Sequence, residues 1–266
     1  MNIGLVLSGG GVRGAAHIGA IKALEEHGIF PTQISGTSIG AIVGALYAYG
    51  HHWSDILHFF KKFQIFDVTK YAKGKPGLID TEKFYAEFKN YLKEDSFEAL
   101  QIPLSITATN ILDGNLEIFN QGKLIMPILA SAAFPGIFAP VKIKDDYYID
   151  GGTLNNFPAE LLKPHCDSII GSYVNGIDTI NITDVKHMFH IMERAIKLKS
   201  FQEDYSKFNL CNVVVYPKEL SKYGTFDKRH VDEIFNIGYH RTKEILDNNE
   251  ALLQQTAALV LNNKQL

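Results

Sequence analysis

The apolar positions of this chain alternate between short runs bounded by glycine turns and longer runs at helical spacing. Residues 3–7, Ile-Gly-Leu-Val-Leu, make a short apolar run of strand length, the pattern of a strand covered on both faces. After a glycine turn, residues 15–27 place Ala16, Ala20, Ile21 and Leu24 on one helical face, and Gly28 is positioned to end that helix. A second strand is predicted over 30–35. Strand, helix and strand form a β-α-β unit whose crossover is almost always right-handed, so the two strands run parallel. Their C-terminal ends then share one edge of the sheet, where open α/β sheets bind ligands.

The same pattern continues downstream. A helix of small residues (Ala41, Gly44, Ala45, Ala48) follows residue 38, and residues 53–66 are aromatic-rich with Leu57, Phe60 and Phe63 at helical spacing. A surface loop over 70–77 leads to a helix over 81–92. Residues 104–111 and 116–119 read as strands joined by Asp113-Gly114-Asn115, a strong hairpin signal. A helix over 122–133 carries Pro127 in its first turn, and a second hairpin, 141–143 with 147–149, turns at Asp145-Asp146. Beyond it the pattern predicts a core strand over 168–174, an amphipathic helix containing 191–201, a last strand over 212–216 and a helix over 231–246. That helix has Ile234, Ile237 and Ile245 on one side and is followed by a terminal helical stretch. With no repeat, low-complexity tract or linker, the expectation is one α/β domain over 1–266.

Composition narrows the class. An apolar content of 46% and a mean hydropathy of −0.03 over 266 residues describe a chain that buries a substantial core. A net charge of −3 argues against protein-wide attraction to nucleic acid. Cys166 and Cys211 are expected to be free thiols and show no zinc-ligand spacing. Residues 1–7 lack a basic, long-apolar leader, and no uncharged stretch reaches the ~20 residues of a membrane span. The expected location is cytoplasmic, soluble or peripheral at the inner membrane surface.

Candidate chemistry gathers at three glycine-bearing turns. Gly36-Thr37-Ser38-Ile39-Gly40 is a Gly-x-Ser-x-Gly between a strand and a helix, the setting of a nucleophile elbow, with the serine at a helix N-terminus that favours developing negative charge. Ser8-Gly9-Gly10-Gly11-Val12-Arg13-Gly14 follows the first strand. It matches G-x-G-x-x-G, but the second strand ends at Ser35-Gly36-Thr37 without the acid that dinucleotide binding requires. The alternative is an oxyanion hole, since successive glycines let N–H groups converge at a helix start. Arg13 opposes the macrodipole there, which calls for an anionic partner, either an internal carboxylate or a substrate phosphate. Asp150-Gly151-Gly152 also follows a strand; alone it is ordinary turn chemistry.

Taken in order, Gly9-Gly10-Gly11-Val12-Arg13-Gly14, Gly36-Thr37-Ser38-Ile39-Gly40, Ala130-Ser131-Ala132-Ala133-Phe134-Pro135-Gly136-Ile137-Phe138 and Asp150-Gly151-Gly152 resemble the patatin-like phospholipase family over about residues 3–163. The resemblance implies a three-layer α/β/α sandwich with a mainly parallel central sheet. It also implies a lipid acyl hydrolase working through a Ser-Asp dyad without histidine, metal or organic cofactor. Carried over, Ser38 is the nucleophile, Asp150 its base, and Gly9, Gly10 and Gly11 lie in the oxyanion loop. Arg13, Phe134 and Pro135 are expected at the substrate, a lipid or fatty-acyl ester. Asp150 is expected to be partly desolvated, because an ordinary aspartate is about 2.6 pKa units less basic than histidine.

Four other readings stand beside this one. A Ser-Asp-His triad has histidines available after Asp150 (His165, His187, His190, His230, His240), and His17 lies near the glycine loop. Residues 51–66 with Lys61 and Lys62 read first as a buried helix with solvated lysines and second as an interfacial lipid contact. Acyl transfer to an acceptor other than water, or thioester cleavage, would use the same pair, and a lipid-binding or regulatory module would use the same fold with little turnover.

Overall fold

A chain built from short apolar runs closes its backbone hydrogen bonds by pairing them, and here eight such runs join in one mixed sheet. The computed structural model describes residues 1–63, 70–185 and 187–248; residues 64–66 of the aromatic stretch and the terminal helical stretch lie largely outside these. The strands are β1 (Ile3–Leu7), β2 (Gln33–Thr37), β3 (Leu104–Asn110), β4 (Leu116–Phe119), β5 (Val141–Ile143), β6 (Asp146–Asp150), β7 (Ser168–Ser172) and β8 (Val213–Val215). Pairing follows the path β5-β6-β3-β2-β1-β7-β8, with β4 on β3. The β3-β2-β1-β7-β8 portion is parallel, and the two expected hairpins, β3-β4 and β5-β6, are antiparallel. The helices are α1 (Ala15–Glu26), α2 (Ile39–Ala48), α3 (Trp53–Lys62), α4 (Tyr85–Tyr91), α5 (Ile125–Ser131), α6 (Met188–Ser206) and α7 (Val231–Asp247).

Two boundaries moved for identifiable reasons. β2 starts at Gln33, since Phe30 is exposed and Pro31 has no N–H to give, and it runs on through Ser35-Gly36-Thr37 because β1 and β3 pair with it on either side. The helix expected over 81–92 opens with a 3-10 turn at Thr81–Phe84 that Asp80 caps through the Glu82 N–H.

Residues along β1 show why the sheet is sandwiched. Ile3, Leu5 and Leu7 point into a large core shared with α1, α2 and α7, whereas Val6 points into a smaller one with Phe157, Ile169 and Tyr173. Side chains two apart share a face, so a strand apolar at every position needs cover on both sides. The second face is covered more thinly, by 3-10 turns at Ala159–Leu161 and Phe208–Leu210 and by Phe201 of α6. Cys166 and Cys211 pack beside this core as free thiols.

The register along β3 positions the site. Thr107 pairs with Ile118 on one edge and Thr37 on the other; Ala108 pairs with Glu117 on the first edge and Asp150 on the second. Since β4 occupies one edge continuously, β2 and β6 share the opposite edge end to end. β2 runs parallel to β3 and β6 antiparallel, so their C-terminal ends meet head-on at neighbouring β3 residues. Whatever follows Thr37 and whatever ends β6 must therefore be close together.

Candidate active site

Ser38 follows Thr37 at that meeting point. Its backbone is left-handed, with φ 54° and ψ −121°, a conformation costing about 1–3 kcal/mol in a non-glycine residue. The turn is held because the flanking glycines allow close packing: a Cβ on Gly40 would lie 2.1 Å from the Leu7 carbonyl oxygen, so α2 starts directly against the end of β1. The Ser38 N–H donates to Ser131 Oγ at 2.8 Å, and the Asp150 N–H donates to the Ala133 carbonyl at 3.0 Å. The Ala-Ser-Ala-Ala segment at the end of α5 thus fixes both backbones at once.

The side chains meet as the register requires. Ser38 Oγ donates to Asp150 Oδ2 at 2.6 Å, and the Gly152 N–H donates to Oδ1 at 2.7 Å. Asp150 is 5% exposed, and burial pushes its pKa up to about 6 although the hydrogen bonds from Ser38 and Gly152 pull it down. That lies within about half a unit of a free imidazole.

The glycine loop lies alongside. A Cβ on Gly9 would sit 3.2 Å from Ser38 Cβ and 2.3 Å from Asn156 Oδ1, so only glycine fits there. The Gly9 N–H is already engaged by the Asn156 carbonyl at 3.2 Å, and that of Val12 by the Thr225 carbonyl at 2.8 Å. Among the described residues the N–H groups of Gly10 and Gly11 make no hydrogen bond. Of the three glycines expected in the loop, Gly10 and Gly11 are the ones with donors to offer; Gly9 shapes the approach.

Arg13 does not reach out to solvent. It is 1% exposed and cross-links the loop from behind: Nε donates to the Gly10 carbonyl at 3.0 Å, and Nη2 donates to Asn175 Oδ1 at 2.8 Å and to Thr225 Oγ1 at 3.2 Å. Among the described residues Nη1 has no partner, though it is buried. The expected anionic partner is internal and reached through Thr225, whose hydroxyl donates a hydrogen bond to Glu193 on α6, which also pairs with Lys197 at 2.5 Å. Burial would raise the Glu193 pKa, but Lys197, Thr225 and Arg13 together hold it low; burial brings Lys197 down to about 8, with Arg13 adding to the effect.

One cavity opens onto this pair. Ser38, Asp150, Gly10 and Gly11 line it, together with Phe134 and Pro135 as expected. Its apolar wall is phenylalanine: Phe59, Phe60, Phe63, Phe84, Phe88 and Phe138. Its polar wall is Arg13, Asn156, Asn175, Lys197 and Thr225. The sequence pattern did not single out Ser131, Asn156, Asn175 or Thr225, since each matters through a partner more than forty positions away, nor Lys197, whose i,i+4 pairing with Glu193 is ordinary for a surface helix. The Asn155-Asn156 pair just after Asp150 was the nearest thing to a signal.

Among the described residues no histidine lines the cavity, and the group accepting from Ser38 Oγ is Asp150 rather than an imidazole, so this geometry does not support the triad reading. His17 is fully buried: Nε2 donates to the Ser8 carbonyl at 2.9 Å and Nδ1 accepts from Ser172 at 2.7 Å, so it braces the start of the glycine loop. Desolvation lowers its pKa to about 4, keeping it neutral. Among the described residues no cluster of metal-ligating side chains is present, and no helix is long and apolar enough to cross a membrane.

Comparison with known proteins fits this geometry. The family model for patatin-like phospholipase matches residues 5–163, which span β1, the glycine loop, the elbow and Asp150. The chain belongs to the patatin-like phospholipase family. An NTE family protein of Mycobacterium tuberculosis is 34% identical over 180 residues, covering 65% of this chain and 49% of that one. Lysophospholipase NTE1 of Kluyveromyces lactis is 33% identical over 274 residues, covering 89% of this chain but only 18% of the yeast protein. This patatin-like chain therefore spans half or less of these relatives. The crystal structure of VipD from Legionella pneumophila shares the fold, with a TM-score of 0.61 at 17% identity over 92% of this chain and 67% of that one.

Proposed function

We propose that this patatin-like protein cleaves carboxylic esters of lipids through an acyl-enzyme on Ser38, with Asp150 as its base. The observation that carries the reading is the 2.6 Å hydrogen bond from Ser38 Oγ to a buried Asp150 beside the two unengaged N–H groups of Gly10 and Gly11. Ser38 Oγ attacks the ester carbonyl carbon while its proton passes to Asp150 Oδ2. The tetrahedral oxyanion is held by the Gly10 and Gly11 N–H groups, donors that contribute on the order of 3 kcal/mol each in comparable sites. Collapse breaks the ester C–O bond, and the leaving alkoxide takes the proton from Asp150. Water then attacks the acyl-enzyme, giving its proton to Asp150, and Ser38 is restored as the fatty acid leaves.

The two walls of the cavity divide the substrate. The fatty chain lies against the phenylalanines, whose burial of apolar surface favours a chain over a short acyl group. Arg13 and Lys197, with Glu193 neutralising one of them, leave one net positive charge beside the cavity, which favours the oxyanion and an anionic head group. The yeast relative's name, lysophospholipase, supports a lysophospholipid or phospholipid as the ester. Labelling with a fluorophosphonate, mapping the adduct, and assaying phospholipids, lysophospholipids, acylglycerols and short esters tests this. An adduct on Ser38 with fatty-acid release is expected; folded protein with no adduct at Ser38 overturns it.

A further inference from the structure

Helix α6 is amphipathic, but turned inside out. Its buried side carries Glu193, Lys197, Ser200 and Asp204, while its solvent side carries Met188, Ile191, Met192 and Leu198, which are 76%, 60%, 44% and 47% exposed. Spacings of three (188–191), four (188–192) and seven (191–198) place these four on one stripe. Just before the helix Ile182 is 84% exposed. Scattered exposed apolar side chains are ordinary, but a stripe of this kind implies a partner.

The stripe borders the mouth of the cavity. Ile196, Lys197 and Ser200 of the same helix line the cavity, and the Met192 methyl lies 3.9 Å from where a Cβ on Gly136 would be, next to the lining residue Pro135. On the other side of that loop, Leu78 donates its N–H to the Ile137 carbonyl and leaves its side chain 56% exposed; Tyr71 is 51% exposed nearby, bridged to Ile79. Apolar side chains from α6 and from Leu78 therefore stand against the 135–138 loop, whose Pro135 and Phe138 line the cavity. Charge selects the partner: of the helix's carboxylates, Glu193 is folded inward onto Lys197 and Thr225 and Asp204 is buried, leaving Glu203 exposed only near the far end, whereas Lys199 and Arg194 lie toward the surface beside the stripe. A second copy of the chain seated on this stripe would cover the opening through which an ester must enter.

We infer that the outer face of α6, with Leu78 and Tyr71, is the docking surface for an anionic lipid bilayer, holding the cavity mouth against the membrane. This deepens the proposed function, since it supposes that the substrate is drawn from a lipid layer. The test uses the whole chain with vesicles of phosphatidylcholine alone and of phosphatidylcholine mixed with phosphatidylglycerol. Cosedimentation is measured for the wild type, for Ile191→Glu with Leu198→Glu, and for the milder Met188→Gln with Met192→Gln. Sedimentation velocity and turnover of a water-soluble p-nitrophenyl ester and of vesicle phospholipid are measured in parallel. The wild type should bind the anionic vesicles more tightly than the neutral ones. The glutamate pair should weaken binding and vesicle turnover at least tenfold while soluble-ester turnover stays within twofold, and the glutamine pair should weaken both less. Wild-type protein that ignores anionic vesicles, or a glutamate pair that binds them unchanged, overturns the inference. So does a wild-type dimer that the glutamate pair splits without changing vesicle binding. Absence of soluble-ester turnover in every form would strike the hydrolase reading instead, and vesicle binding would still decide the docking surface.

Discussion

Helices α3 and α6 wall the same cavity on opposite plans. α3 sends Ile56, Phe59 and Phe60 inward and leaves Ser54, Asp55, His58 and Lys61 in solvent, as a surface helix of a globular protein does. α6 buries a glutamate, a lysine and an aspartate and shows methionines, isoleucine and leucine to the outside. The first helix is held by burial of apolar surface. The second is held by charged and polar groups that satisfy one another: Glu193 with Lys197 and Thr225, and Asp204 with Asn156 and Tyr173. Burial raises Asp204 to about 6 despite those hydrogen bonds. A helix can thus be anchored by its polar side when what it leans on is the back of a polar site, and its apolar side is then left for something else.

Both helices wall one reactive cavity, and removing the reaction has the largest expected effect. Ser38→Ala should abolish fluorophosphonate labelling and lower ester turnover about 10³-fold or more, and Asp150→Asn should come close to it because the two act as a unit. An Asp150→Asn variant with near-wild-type turnover would break the base assignment. Next comes the apolar plan of α3. Phe59 is 3% exposed and packs its ring 4.8 Å from Tyr91 and 5.5 Å from Phe88, so Phe59→Ala should cost about 3–5 kcal/mol in denaturant unfolding. An effect below about 1 kcal/mol would mean that this wall is not packed as described.

Smaller effects sharpen the contrast. Asp150 must be ionised to accept the serine proton, and its pKa is about 6, so kcat/KM should level off above pH 7 and fall about tenfold per unit below that pKa. A profile flat down to pH 4.5 would contradict the buried, raised carboxylate. Smallest of all is the stability change from Ile191→Glu on the outer face of α6, expected within about 0.5 kcal/mol because that side chain is 60% exposed. A loss of several kcal/mol there would show the stripe to be packed after all, and the inversion of α6 would fall.

Much of this was legible beforehand in particular residues. The run at 3–7, the glycine stop at Gly28 and the Asp-Gly-Asn turn at 113–115 are local signals, and the elements they mark lie within a few residues of expectation. Ser38 was legible for the same reason, since an elbow is a local arrangement of strand, left-handed residue and helix. The periodicity of 191–201 announced an amphipathic helix but not which face it buries. Hydrophobic spacing reports only that two faces differ, and the polar groups that claim one of them (Arg13, Asn156 and Thr225) are far away in the chain.

What the sequence determined by itself was the parallel β-α-β unit, the glycine loop and Ser38 on one sheet edge, because each follows from short-range backbone chemistry and a crossover of fixed hand. What only the tertiary structure decided was the company Ser38 keeps. Asp150 stands 112 residues away, and it arrives because β2 and β6 run toward each other along the same edge of β3 and end opposite Thr107 and Ala108. That register is set by hydrogen bonds between strands, which no spacing along the chain encodes.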